Sequence, residues 1–176
     1  APDADCPRWE QFLLEIFDGD ADMVSFIQRS LGYSLTGDTR EQCLFLCWGG
    51  GANGKSTLLN IVRSMLGEYA ANTPFSTFEL QYSSSNTNDL AALADRRLVT
   101  AAETNDARRL NESRVKVATG SDPVTARYLY HENFTYIPRF TIWLAMNVKP
   151  RITGVDDGIW RRIRLIPYTV SFKDNA

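Results

Sequence analysis

The chain is short of histidine and cysteine and has no long apolar run, and each shortage excludes a class of function. Its one histidine, His131, argues against a metal site built from several imidazoles and against a Ser-His-Asp triad. Three cysteines at uneven spacing do not form a disulfide framework. The longest apolar run, residues 43–48, has six residues, whereas a membrane helix needs about 20. With no signal peptide visible at its start, the sequence predicts a cytoplasmic protein without a membrane partner.

Charge is unevenly distributed along the 176 residues. Residues 1–95 carry a net charge of −8, whereas residues 96–164 carry +6. A basic second half is suited to a polyanionic partner, and the acidic first half is not. The alternative, that the charges only solvate two faces of the domain, remains open on charge alone.

The first 40 residues have helical spacing. Apolar side chains from Trp9 to Phe17 recur at the spacing of one helical face. Gly19 is expected to end this helix, and Asp20 to cap a second helix that ends at Gly32. We therefore expect a helical segment over residues 1–40 and a core domain over residues 41–176, together a fragment of a longer protein.

Four later segments predict strands. The apolar runs 43–48, 98–102 and 141–146 are typical of strands buried on both faces of a parallel sheet, and residues 162–167 predict a last or edge strand. A glycine-rich turn and a helix ending at Gly67 follow the first run, which is the opening unit of an α/β fold.

Asn111 is expected to cap a helix that ends before Gly120. Residues 125–130 and 134–137 predict a hairpin with its tip near His131.

The glycine-rich turn matches the phosphate-binding pattern G-x-x-x-x-G-K-[ST] at every fixed position. Its backbone N–H groups and the following helix N-terminus are suited to a triphosphate. Lys55 is expected to reach the β- and γ-phosphates, and Ser56 to hold Mg²⁺. The predicted nucleotide-binding residues are Gly49, Gly50, Gly51, Ala52, Asn53, Gly54, Lys55, Ser56 and Thr57.

The turn and four segments outside it together indicate the class of nucleotide-binding protein to which the chain is similar. They occur in the order QRSLGYSLTG (28–37), GGGANGKST (49–57), GSDPVTARYLY (120–130), NVKPR (147–151) and DDGIWRRIRLIP (156–167). In this order the chain resembles the superfamily-3 helicases of the AAA+ class, in the phage and plasmid primase branch. The resemblance implies a three-layer αβα fold with a mostly parallel sheet, and an ATP- and Mg²⁺-dependent helicase acting on single-stranded or forked DNA. It further implies a ring, expected to be a hexamer, and a primase region elsewhere in a longer chain from a phage, plasmid or other mobile element.

The resemblance also implies catalytic roles. Glu103, after a strand expected to lie beside that of the phosphate-binding turn, would orient the attacking water or reach Mg²⁺. The family often has two adjacent acids, and Asp106 is the second candidate. Asn147 would sense the γ-phosphate. Arg161, in preference to the adjacent Arg162, would act as an arginine finger in the neighbouring subunit's site. Each residue also has a structural alternative. Glu103 would be a surface acid, Asn147 a turn-forming asparagine, and the arginine a partner in a salt bridge to Asp156 or Asp157.

Contacts with neighbours and with DNA are expected from two further segments. Lys116 is either a contact across the subunit boundary or a solvated helix lysine. The hairpin would grip single-stranded DNA through Arg127, Tyr130 and His131, because cations follow phosphates and aromatic rings stack on bases. Alternatively, the hairpin aromatics pair across strands and pack the core.

Two other functions remain open from the sequence. One is a monomeric P-loop kinase, in which the arginine pairs 96–97 and 108–109 would form a lid. The other is a ring component that binds ATP without hydrolysing it.

Overall fold

The structure, a computed structural model, describes residues 4–80, 87–103, 109–154 and 156–173. A parallel five-stranded sheet forms its centre, with the strand order β2-β3-β6-β1-β7, and a separate antiparallel pair joins β4 and β5. The strands are β1 (Leu44–Trp48), β2 (Ala70–Asn72), β3 (Leu98–Ala102), β4 (Val124–Ala126), β5 (Phe134–Tyr136), β6 (Thr141–Met146) and β7 (Ile163–Pro167).

Helices cover both faces of this sheet and complete a three-layer α/β fold, which confirms the predicted fold class. They are α1 (Pro7–Ile16), α2 (Ala21–Thr36), α3 (Lys55–Leu66), α4 (Asn88–Ala91), α5 (Glu112–Thr119) and α6 (Asp157–Trp160), with 3₁₀ turns at Gly67–Tyr69 and Phe75–Thr77. No helix among the described residues is both long and apolar enough to cross a membrane.

One face of the sheet packs against the first three helices. Phe45 of β1 stacks on Trp143 of β6 with ring centroids 4.3 Å apart, and both belong to the same buried cluster as Ile16 and Ile27. The Trp143 indole N–H donates to Ser34 Oγ of α2 at 3.0 Å. The first two helices therefore share their apolar core with the sheet.

The second helix is longer than its sequence predicts. Asp20 caps α2 as expected, accepting from the Met23 N–H at 2.9 Å, but the helix passes through Gly32 and ends at Thr36. The end lies at Gly37 because its φ of 70° provides the left-handed conformation that closes a helix. Gly32, whose added Cβ meets nothing within 4 Å, is merely tolerated inside the helix.

The order of the strands corrects a second expectation. Strand β3, which ends before Glu103, does not lie beside β1, because β6 is inserted between them. Spacing along the sequence carries no information on lateral order, and the fully buried β6 occupies the centre of the sheet. The carboxyl ends of the three strands still meet, since β6 pairs in register with both neighbours up to residues 145 and 146.

The hairpin is also shorter than predicted. Its first strand ends at Ala126 rather than continuing to Tyr130, and residues 127–133 form the connecting loop. The backbone after Ala126 bonds to side chains at the start of α4 instead of to β5: the Arg127 N–H donates to Thr87 Oγ1 at 3.3 Å. Because these N–H groups bond to the start of α4, they do not pair with β5, and the β4–β5 ladder ends at Ala126.

Candidate functional site

The turn between β1 and α3 requires glycine at two of its positions. Gly54 precedes α3 with a φ of 85°, and a Cβ added there would lie 2.4 Å from Ile16 Cγ2 of α1. A Cβ on Gly49 would lie 2.2 Å from the Tyr168 carbonyl oxygen. The backbone of the turn therefore has its path because neighbouring segments pack closely against it.

Lys55 is held inside this turn. Its ammonium donates to the carbonyls of Gly49 and Gly50 at 2.7 and 2.8 Å and to Asn53 Oδ1 at 2.9 Å. Only 5% of the residue is exposed, and this burial lowers the pKa of the ammonium. The turn thus fixes a positive charge at the start of α3, where the helix dipole adds to it.

A segment after β7 crosses the turn, and the sequence analysis missed it. The Tyr168 N–H donates to the Trp48 carbonyl at 2.7 Å, and the Phe172 N–H donates to the Ala52 carbonyl at 2.7 Å. The Asn53 amide donates to the Tyr168 carbonyl at 3.4 Å. No short motif marks these contacts, because more than a hundred residues separate the partners along the chain.

The turn opens onto a cavity of about 330 Å³ that brings predicted residues 51–57 together with Glu103 and Asn147, while the predicted Gly49 and Gly50 do not line it. Lys55 and Ser56 line it from the turn, and Glu103 and Asn147 line it from the ends of β3 and β6. The Glu103 N–H donates to the Ala145 carbonyl at 2.9 Å, which fixes the start of that side chain at the sheet edge. Its remaining lining residues are Gly51, Ala52, Asn53, Gly54, Thr57, Ala102, Ala145 and Met146.

These residues fit a magnesium nucleotide. Mg²⁺ prefers oxygen ligands and is commonly held by one or two protein side chains together with substrate phosphates. The cavity offers the Ser56 hydroxyl and the Glu103 carboxylate, and the Lys55 ammonium is suited to phosphate oxygens. The backbone at the start of α3 adds the unpaired N–H groups of a helix terminus.

The two neighbouring arginines have different environments, and neither lines the cavity. Arg162 is 8% exposed and donates to Thr119 Oγ1 and Gln42 Oε1, both at 3.1 Å, and to the Gly158 carbonyl. Burial lowers the pKa of its guanidinium. Arg161 is exposed and also donates to Gln42. Of the two, only Arg161 has a side chain exposed to solvent.

Lys116 has a partner within its own chain. Its ammonium contacts both carboxylate oxygens of Asp156, at 2.8 and 2.9 Å, and this contact is the main reason that the pKa of Asp156 is lowered. Asp156 therefore pairs with Lys116, and the ion pairs of the described residues do not include the expected salt bridge from Arg161 or Arg162. A contact of Lys116 across a subunit boundary would have to replace this pair.

The hairpin divides into packed and exposed aromatic residues. Phe134 and Tyr136 pack against the buried core, so the packing alternative describes these two. Tyr128 stacks on Phe134, with ring centroids 5.8 Å apart, but is 43% exposed. Tyr130 is 98% exposed with a φ of 63°, and Arg127 and His131 are exposed beside it. The structure thus places the three predicted DNA contacts together, outside the cavity.

The arginine pairs of a kinase lid lie elsewhere in the fold. Arg97 donates to the Thr36 carbonyl at 2.9 Å, and Arg96 donates to the Glu68 carbonyl. Arg109 donates to Thr153 Oγ1. Arg96, Arg97 and Arg109 do not line the cavity, while Arg108 and the second acid candidate, Asp106, fall outside the described residues.

Comparison with known proteins supplies the family. The profile of a family described as of unknown function, DUF5906, matches residues 47–162, which is most of the chain and all of the cavity. The chain belongs to the DUF5906 family. The matched range begins inside β1 and ends at Arg162, so it contains every predicted site residue.

Two viral proteins are similar to this DUF5906 chain. It is 32% identical over 156 residues to a "Putative helicase" of Acanthamoeba polyphaga mimivirus, covering 87% of the chain and 16% of that protein. It is 32% identical over 139 residues to a "Putative primase" of African swine fever virus, covering 77% of the chain and 14% of that protein. The DUF5906 chain therefore spans about a sixth of the length of these relatives.

Solved structures share the fold of the DUF5906 chain. The C-terminal region of NrS-1 superimposes with a TM-score of 0.66 at 16% identity, over 94% of this chain and 38% of that one. JCV helicase superimposes with a TM-score of 0.60 at 12% identity, over 95% and 46%. At these identities the likeness shows the fold alone, and it agrees with the predicted α/β architecture.

Proposed function

We propose that this chain is the ATP-hydrolysing motor of a superfamily-3 DNA helicase, of the type found in phage and plasmid primases. The observation that supports this most directly is the cavity in which Lys55, Ser56, Glu103 and Asn147 meet at the carboxyl ends of adjacent strands. Ligands of open α/β sheets bind at this edge. The names of the viral relatives, "Putative helicase" and "Putative primase", agree with this type of motor.

The turn would bind the triphosphate of ATP. Its backbone N–H groups and the start of α3 surround the phosphate oxygens, and the Lys55 ammonium exchanges a carbonyl partner in the turn for a phosphate oxygen. Ser56 and Glu103 are the side chains that would hold Mg²⁺, which when bound neutralises charge on the β- and γ-phosphates. Because Lys55 is already buried and oriented, little reorganisation accompanies binding.

Hydrolysis would proceed between Glu103 and Asn147. The Glu103 carboxylate orients a water molecule and accepts its proton as the water oxygen bonds to the γ-phosphorus. The bond from that phosphorus to the bridging oxygen of ADP breaks, giving ADP and inorganic phosphate. The Asn147 amide carries no charge and can donate to a phosphate oxygen while accepting from the water.

A neighbouring copy would complete the site. We assign the arginine finger to Arg161, which is exposed, and a structural role to Arg162, which is buried and bonded within its own chain. Copies joined head to tail in this way form a ring. Arg127, Tyr130 and His131 would contact single-stranded DNA, so that hydrolysis moves the hairpin along one strand.

The first test measures ATP hydrolysis by the full-length protein with and without single-stranded DNA, alongside its native mass. DNA-stimulated release of phosphate by an oligomer is expected, and Lys55→Ala and Glu103→Gln should each lower the rate by roughly 100-fold or more. Phosphate transfer to a small acceptor in place of water would indicate the kinase. Unchanged hydrolysis in both variants would refute the proposed site.

The second test uses the two neighbouring arginines as a matched pair. Arg161→Ala should lower hydrolysis by roughly 1,000-fold and leave the free energy of unfolding unchanged. Arg162→Ala should instead lower the free energy of unfolding by about 1–3 kcal/mol, since buried acceptors lose their donor.

A mixture of two inactive variants tests whether the site is shared between subunits. When Lys55→Ala and Arg161→Ala subunits are mixed in equal amounts, about a quarter of the sites combine an intact Lys55 with a neighbour's intact Arg161, so about a quarter of the wild-type rate should be recovered. No recovery would contradict a shared site.

A further inference from the structure

The hairpin is attached to the rest of the molecule through the end of α4. The Tyr136 hydroxyl donates to the Leu90 carbonyl at 2.7 Å, and the Tyr128 hydroxyl donates to the Ala91 carbonyl at 3.0 Å. The same two carbonyls also accept from the Leu93 and Ala94 N–H groups, at 3.1 and 3.3 Å, and a carbonyl oxygen has two lone pairs. The two hairpin hydroxyls therefore add a second hydrogen bond to carbonyls at the end of α4.

The start of the connecting loop is held at the other end of the same helix. Besides the Arg127 N–H bonded to Thr87, the Leu129 N–H donates to Asn88 Oδ1 at 3.2 Å. Both ends of α4 thus bond to the hairpin, and Leu90 and Ala91 also lie in the buried cluster against which Tyr136 packs. The chain continues from α4 into β3, which ends next to Glu103.

The tip of the loop, residues 130–133, is exposed throughout. The exposed Tyr130 follows directly after the residues that α4 holds. Tyr136, by contrast, is half-buried beneath the loop, and burial raises its pKa to about 12, so its hydroxyl keeps the proton that it donates. The two tyrosines of the hairpin thus have different environments: Tyr130 is exposed to solvent, whereas the Tyr136 hydroxyl is bonded to α4.

We propose that Tyr136 is a positioning residue for nucleic acid: its hydroxyl fixes the hairpin to α4, so that Tyr130 and Arg127 are held ready for a single strand. This inference rests on the proposed function, because it assumes that the hairpin binds DNA. A loop that is already ordered loses less conformational entropy on binding. Removing the Tyr136 hydroxyl should therefore weaken DNA binding without removing any group that contacts DNA.

The experiment measures the affinity of the full-length protein for a fluorescein-labelled oligothymidylate by fluorescence anisotropy. Tyr136→Phe keeps the ring and loses one hydrogen bond, which corresponds to an approximately fivefold rise in Kd. Tyr69→Phe, at a tyrosine that is 60% exposed on another part of the surface, is the matched control and should leave the Kd unchanged. Hydrolysis without DNA should be the same in all three proteins.

The salt dependence of binding separates positioning from contact. Arg127→Ala should lower the slope of log K against log salt by about 0.7, because one phosphate contact on a single strand is lost. Tyr136→Phe should leave this slope unchanged. The Tyr136→Phe substitution should also raise the DNA concentration needed for half-maximal stimulation of ATP hydrolysis, while the hydrolysis rate at saturating DNA stays the same. General destabilisation of the protein would lower that rate as well.

Tyr130→Ala distinguishes failure of this inference from failure of the proposed function. If Tyr130→Ala weakens DNA binding and Tyr136→Phe does not, the hairpin binds DNA and the positioning role of Tyr136 is wrong. If the wild-type protein does not bind the oligothymidylate, or Tyr130→Ala has no effect, the proposed DNA site is wrong. A weakened Tyr136→Phe protein with an altered salt slope would also overturn the inference, since Tyr136 would then act on the phosphate contacts.

Discussion

The phosphate-binding turn and the hairpin loop both contain a residue with positive φ, but their surroundings differ. In the turn Ala52 has a φ of 54°, and Gly54 has a φ of 85° with α1 packed against it. In the hairpin loop the residue is Tyr130, with a φ of 63° and 98% of the residue exposed. The turn is enclosed by α1 and the segment after β7. In the part of the chain that the structure describes, the hairpin loop bonds to α4 and its cap through residues 127–129.

This difference shows what kind of constraint acts on each region. At Gly54 the fold itself excludes a side chain, so glycine is explained by packing and backbone conformation. The Tyr130 ring is almost fully exposed among the described residues, and a non-glycine residue with positive φ costs about 1–3 kcal/mol. The exposed ring at this position therefore adds little packing to offset that strain, which agrees with the proposed contact to DNA.

Gly54→Ala is the substitution with the largest expected effect. The added Cβ would lie 2.4 Å from Ile16 Cγ2 at a positive φ, so the turn and α1 must both move. We expect the free energy of unfolding to fall by about 3 kcal/mol and nucleotide affinity to fall with it. Thermal denaturation and calorimetric titration with ATP measure the two effects.

Gly50→Ala is the control for that substitution. A Cβ at Gly50 meets no atom within 4 Å, so stability should be unchanged. If Gly50→Ala loses nucleotide affinity without losing stability, the added methyl group obstructs the bound nucleotide. Equal destabilisation by both substitutions would contradict the packing explanation for Gly54.

Tyr130 should show the opposite behaviour. Tyr130→Ala and Tyr130→Gly are both expected to weaken binding of single-stranded DNA by roughly 5- to 100-fold, the range for one base stacked on an aromatic ring. Tyr130→Gly should also not lower the melting temperature, because the strain that glycine relieves at a positive φ offsets its larger loss of conformational entropy on folding. A large loss of stability in either variant would mean that the ring is structural, and the contrast with Gly54 would then disappear.

The same contrast explains how much could be predicted from the sequence. The turn is recognisable because its chemistry depends on short-range requirements, glycines and a lysine at fixed spacing, and the apolar runs 98–102 and 141–146 predict the buried strands β3 and β6. The position of β6 between β1 and β3 and the contacts of Tyr168 with the turn depend on long-range packing, which no local pattern encodes. Likewise, the sequence favours Arg161 over Arg162 without a physical reason, and burial of Arg162 supplies one.

The smallest expected effect is a difference in pH dependence between the two regions. Burial lowers the pKa of Lys55, and the charged ammonium is the form that binds phosphate. Nucleotide affinity should therefore decline in the alkaline range, at a lower pH than an exposed lysine would cause, and by less than about tenfold per pH unit for one proton. DNA affinity through Arg127 should not follow this decline, because a guanidinium stays protonated.

Parallel titrations of ATP and of the oligothymidylate between about pH 7.5 and pH 10, below the pKa of a guanidinium, measure this difference at constant ionic strength, with circular dichroism to check that the fold is retained. Lys55→Arg is the control, because it keeps a positive charge that does not titrate in this range. Its nucleotide affinity should be lower than that of the wild type but independent of pH. If the wild type and Lys55→Arg lose affinity in parallel, the titrating group is not Lys55, and the buried ammonium does not distinguish the turn from the hairpin.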